Sequence, residues 1–133
     1  MQMRQSGTLG VRVFASRAQL PVEGAAVVIT QKGRNGKYRV LSLQETDRNG
    51  SIVPVTVPTP DTAQSTSPNS NLTQPFARCD IWVEHGGYEV MAIEDVQVFP
   101  GQMSLQEVEL NPLVRGEAWT ERTEVRPIPA QTL

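Results

Sequence analysis

Apolar and polar residues alternate along this chain in short bursts, and no segment of useful length carries a helical period. The clearest stretch runs from Phe76 to Pro112. Ile81 and Val83, Val90, Val96 and Val98, and Val108 and Leu110 recur at every second position, broken by Gly86-Gly87 and Pro100-Gly101. Such bursts predict consecutive antiparallel strands with one buried and one wetted face. Upstream, the same pattern predicts strands over Thr8–Phe14, Ala25–Gln31, Tyr38–Glu45 and Ser51–Val57. Asn35-Gly36 and Asn49-Gly50 mark tight turns, and Pro21 to Gly24 supplies a third. The expected architecture is all-β, a single seven-stranded antiparallel β-sandwich with Greek-key-like connections. Its inward set is Leu9, Val11, Val13, Ala25, Val27, Ile29, Val40, Ile52, Val55, Cys79, Ile81, Val83, Val96, Val98, Val108 and Leu110.

Two segments lose the alternation. Residues 58–75 are polar and proline-rich, long enough to be either a solvated crossover between sheets or a partner-binding loop. Beyond the sandwich at 1–112, the tail at 113–133 mixes charges with Pro127 and Pro129 and has one large anchor, Trp119. The tail reads as extended or disordered, or else as an edge segment laid against the sandwich.

Composition narrows the chemistry. With 133 residues the chain is long enough to bury a core without covalent staples, and its 38% hydrophobic and 5% aromatic content suits a sandwich filled by Val, Ile and Leu. A net charge of −2 lacks the clustered positive field that nucleic acid or an anionic membrane surface requires. One Cys and one His are too few for a zinc site of the usual Cys/His kind, so no metal and no cofactor is expected. No apolar run approaches the length of a membrane span. The opening MQMRQSGTLG lacks the apolar core of a secretory signal, which leads to the expectation of a cytoplasmic or spore-associated protein.

Nothing assembles into a catalytic set. His85 stands alone before a Gly-Gly turn, where a triad needs a partnered imidazole facing a nucleophile. Cys79 alternates in phase with Ile81 and Val83 and is expected to be a buried, unreactive thiol. Asp47-Arg48-Asn49-Gly50 begins like a calcium loop but lacks the later ligands. The chain therefore reads as no enzyme. The candidate binding residues are Trp82, Tyr88 and Trp119. Phasing places Trp82 on the outward face, where an aromatic ring stacks on a sugar or anchors a protein interface. Tyr88, after Gly87, is expected to pack its ring at the sandwich edge with its hydroxyl reaching a backbone group. Gly87 itself is expected at positive φ.

The order GTLGVRV, PVEGAAVVI, ETDRNGSI, GGYEVMAIEDVQVFPGQ and VELNP resembles the carboxypeptidase regulatory-like domain, a transthyretin-type (prealbumin-like) sandwich similar also to collagen-adhesin B-type repeats. The matching positions are Pro21…Gly24-Ala25, Thr46-Asp47…Gly50, Gly87-Tyr88 and Leu110-Asn111-Pro112. A narrower stretch, VPTPD…QPFARCDIWVEHGGYEVMAIEDVQVFPGQMSLQEVEL, resembles the accessory sandwich of clostridial spore cortex-lytic enzymes. The resemblance implies a seven-strand sandwich and a non-catalytic binding or assembly module. It further implies peptidoglycan, or a cell-wall or spore protein of a Gram-positive bacterium, as partner. The alternative is a structural interaction domain docking through a strand edge or the tail, with a small hydrolase third. The lone His85 and the ending Ala130-Gln131-Thr132-Leu133 depart from the hydroxyisourate hydrolases. Arg12 stands on the first strand, where isopeptide-forming adhesins need a lysine.

Overall fold

Alternation in SGTLGVRVFA produces the first strand, β1 (Ser6–Ala15), whose Leu9, Val11 and Val13 are buried. The computed structural model describes residues 5–33, 36–60, 76–113 and 123–127. The further strands are β2 (Ala26–Lys32), β3 (Tyr38–Glu45), β4 (Val55–Pro58), β5 (Ala77–Glu84), β6 (Val90–Val98), β7 (Met103–Leu110) and β8 (Thr123–Pro127). They form two sheets, β4-β1-β7 and β3-β2-β5-β6-β8, packed face to face. Seven strands make the expected sandwich. The eighth, from the tail, pairs parallel with β6 from Val90↔Thr123 to Glu94↔Pro127. Trp119 and residues 61–75 lie outside the described residues.

The expected core is buried with one exception. Val40 is 63% exposed. A β-bulge shifts the β2–β3 register between Ile29↔Ser42 and Thr30↔Val40, so the phase of β3 reverses at Leu41. Ser42 and Gln44 then take the inward side of this edge strand, while Val40 and Leu43 face water.

A second bulge resets β6. Cys79 opposes Val96 but Ile81 opposes Ile93, and Asp95 sits at φ 60 between them. The Asp95 N–H donates to Asp80 Oδ1 at 3.0 Å, which holds this left-handed residue in place. Buried positions thus run Met91, Ile93, then Val96, Val98.

Antiparallel succession holds for β2–β3 and for the β5–β6 hairpin, but not beyond. β7 does not pair with β6. The Pro100-Gly101 turn carries the chain across to the other sheet, where β7 runs parallel to β1 from Thr8↔Met103 to Ala15↔Leu110. A right-twisted sandwich closes this way by placing its last strand beside its first.

On the side where β3 faces β4, two glutamines replace a ladder. Gln44 Nε2 donates to the Val53 carbonyl at 3.0 Å, and the Val53 N–H donates to Gln44 Oε1 at 2.9 Å. The side-chain amide thus pairs with a main chain as a peptide unit would. Gln31 Nε2 likewise donates to the Pro58 carbonyl at 2.8 Å, and Arg39 donates to Gln31 Oε1 at 3.0 Å.

Candidate functional site

The motifs that carry the family resemblance meet at one end of the sandwich and build a clasp. Thr46, 4% exposed, is its centre. Its hydroxyl accepts from the Ala25 N–H at 2.9 Å and donates to the Val22 carbonyl. Its N–H donates to the Ala25 carbonyl and its carbonyl accepts from Gly24, both at 2.9 Å. Asp47 then caps the following turn, with Oδ1 accepting from Asn49 N–H at 2.8 Å and Ser51 N–H at 3.0 Å. Gly50 closes the turn at φ +75, and its carbonyl accepts from Val13 N–H at 2.7 Å. A side chain there would drive its Cβ into the Val13 carbonyl oxygen.

The remaining motif pair meets beside this clasp. Tyr88 bridges Pro112, the Glu89 N–H donates to the Asn111 carbonyl at 2.8 Å, and Leu113 N–H donates to Gly87 at 2.9 Å. Gly87 has φ +88, in the left-handed region expected for it. Tyr88 is half-buried against the core, and its ring meets the edge of His85 with centroids 5.6 Å apart. Both imidazole nitrogens of His85 face main-chain carbonyls: Nδ1 that of Gly86 at 2.8 Å and Nε2 that of Glu23 at 3.1 Å. The ring lies between two turns, and a neutral imidazole donates to one of these carbonyls at a time.

Cys79 is fully buried, and burial first, then the charge of Asp80, pushes its thiol from an ordinary value of 9.0 up to about 12. The thiolate that a nucleophile or metal ligand requires is disfavoured. Among the described residues, no three His, Cys, Asp or Glu side chains stand together as a metal site. No described helix is long and apolar enough to cross a membrane.

The outer face of the five-stranded sheet has a different character. Trp82 is 40% exposed and points outward, as its phase required. Pairing sets it between Val28 on β2 and Ala92 on β6, and Val28 in turn opposes Leu43, which is 71% exposed. Leu43, Val28, Trp82 and Ala92 therefore form one row across four strands, roughly 15 Å long at ordinary strand spacing. The structure does not bring Tyr88 to this row: it lies at the sandwich end, against the core. Only Trp82 was visible as a candidate beforehand. Its three neighbours become a site through cross-strand register, which no local pattern encodes.

No family model matches the chain, and no curated protein matches it. Solved structures do. Catechol 1,2-dioxygenase from Acinetobacter sp. ADP1 is similar with a TM-score of 0.55 at 14% identity, over 86% of this chain and 55% of that one. The 3-chlorocatechol 1,2-dioxygenase of Rhodococcus opacus 1CP gives 0.53 at 11%, over 84% and 61%. The shaft pilin spaA of Lactobacillus rhamnosus GG gives 0.50 at 11%, over 82% and 47%. The chain thus spans about three fifths or less of each of these proteins. Identities this low show a shared β-sandwich and nothing finer.

Proposed function

We propose that the protein is a non-catalytic binding or assembly module that engages its partner through the outer face of the five-stranded sheet. The observation that carries this is the row of Leu43, Val28, Trp82 and Ala92, with a large aromatic at its centre left open to solvent. Exposed aromatics in an apolar setting are the usual anchors of recognition surfaces. The non-catalytic half draws support from the thiol sequestered in the core and from the lone His85, which sits between two turns with main-chain carbonyls, not a carboxylate, at its ring nitrogens. The sandwich likeness extends to a shaft pilin as well as to the dioxygenases, and the pilin likeness supports an assembly role by analogy.

The finer form of this reading takes bacterial cell-wall or spore-cortex peptidoglycan, or a protein bound to it, as the partner. Trp82 offers a flat ring on which a sugar stacks. The test is co-sedimentation with insoluble vegetative and spore-cortex peptidoglycan, with Trp82→Ala alongside. Pelleting that the substitution abolishes supports the wall reading. Absence of pelleting moves the partner to a protein, and pelleting unchanged by the substitution removes the outer face as the site.

A further inference from the structure

The apolar row has a charged frame, and the frame has one sign. On one side of it, the next outward positions are Glu45 on β3 and Glu84 on β5. On the other side stand Asp80 on β5 and Glu94 and Asp95 on β6. Glu45, Glu94 and Asp95 are exposed, and Asp80 and Glu84 are half-buried. The Asp80 carboxylate is held by the Asp95 N–H, so the two acids are fixed near one another on this face. Among the described residues, basic side chains on this face come only a row further on, where each is paired with a ring: Lys32 with Tyr38 at 6.0 Å, and Arg78 with Phe76 at 5.5 Å. The central face is thus an apolar bar with carboxylates on either side, and on the Asp80 side Val40 of β3, opposite Thr30, extends its apolar surface at the β3 edge.

Resting on the binding-module reading, we infer that the partner is a protein segment with a strip of apolar side chains flanked by lysine or arginine, laid across the outer face on Trp82. The apolar strip accounts for affinity, since burying Trp82 and Leu43 removes exposed apolar surface from the centre of this face. The two acidic lines account for orientation and rate, because like-charged partners are repelled and basic ones are steered in. A polyanionic ligand meets the same frame as a barrier.

The test uses the full chain and two fluorescent peptides with an identical core of alternating Val and Thr, one flanked by lysines and one by glutamates. Binding is read by anisotropy at low and at physiological ionic strength. The expected result is binding of the lysine-flanked peptide alone, weakening as salt rises. Trp82→Ala should weaken it by about 30-fold, the loss that an interface hot spot of roughly 2 kcal/mol represents. The triple change D80N/E84Q/E94Q should flatten the salt dependence while leaving the fold intact, since the amide that D80N introduces keeps an oxygen to accept from the Asp95 N–H. Leu43→Ser, at a still more exposed position, gives the same reading if the tryptophan variant folds poorly. Equal binding of both peptides, binding of neither, or insensitivity to Trp82 overturns the inference. So does Trp82-dependent self-association in the ultracentrifuge, which makes a second copy the occupant. If the peptides fail but pelleting with peptidoglycan still depends on Trp82, only the partner chemistry falls. If neither readout depends on Trp82, the outer-face reading falls with it.

Discussion

Replacing Gly50 with alanine tests the clasp where it is tightest. Two separate penalties apply at this residue. Its φ of +75 is strained for any residue with a Cβ, at a cost of roughly 1–2 kcal/mol. The added Cβ also meets the Val13 carbonyl oxygen, with the Val13 carbonyl carbon and the Val22 nitrogen both at 3.3 Å. That carbonyl is engaged by the Val22 N–H at 3.0 Å, and the Val13 N–H is bonded to Gly50 itself at 2.7 Å. Moving either strand aside loosens at least one of these bonds in a buried setting, which costs about 1–3 kcal/mol. The sum is roughly 2–5 kcal/mol. Unfolding entropy of about 2.1 cal/mol/K per residue makes each kcal/mol worth roughly 4 °C here, so Tm should fall by about 7–18 °C.

Gly87→Ala provides the comparison. It has φ +88, yet a Cβ there meets nothing within 4 Å. Only the backbone strain applies, and the expected fall is about 4–7 °C. Calorimetry of both variants separates the two causes. If Gly50→Ala lowers Tm no more than Gly87→Ala does, the close approach to Val13 contributes nothing and the account of the clasp is wrong.

Three further outcomes are expected. Thr46→Val keeps the shape but strands the Ala25 N–H and the Val22 carbonyl; chemical denaturation should show a loss of about 2–4 kcal/mol, with Thr46→Ser close to the parent. Cys79 should resist alkylation at pH 8 until denaturant is added. Its thiol is neutral in both states below pH 9, so it leaves stability unchanged there. Between pH 9 and about 12 only the unfolded chain ionises, so stability should fall by about 1.4 kcal/mol per unit, a slope that Cys79→Ser removes. Gln44→Ala deletes both bonds to Val53, and should cost about 1–3 kcal/mol in urea unfolding and raise aggregation at the opened edge.

Strands were legible wherever alternation ran unbroken. Leu9, Val11 and Val13, or Cys79, Ile81 and Val83, declare their inward face by period alone, and the same arithmetic turned Trp82 outward. The failures fall at phase breaks. Val40 was placed inside because nothing in YRVLSLQE announces a bulge at Leu41. Met91 and Ile93 were left out because Asp95 shifts β6 by one residue, through a left-handed backbone held by an acid fifteen residues away. The pairing of β7 with β1 was equally hidden, since alternation says which face is wet and not which neighbour lies alongside. The site inherits that limit. Trp82 was found by phase, whereas Leu43, Val28 and Ala92, and the acids on either side, join it only once register is known. The motifs behind the resemblance proved easier to see than to interpret: Thr46, Asp47 and Gly50 build a structural clasp.

The parallel seam between β1 and β7 also bears on how the molecule comes into being. Eight residue pairs, Thr8↔Met103 to Ala15↔Leu110, join segments nearly a chain length apart. Closing such a seam carries the full loop entropy before any of its contacts are gained, which places this domain among slow folders. During synthesis the first strand must wait, with only β4 available beside it, until the last of the seven leaves the ribosome. Leu9, Val11 and Val13 stay uncovered for most of that time. A chain stalled before Met103 presents a sticky half-sandwich, and that interval is when a chaperone has most to protect.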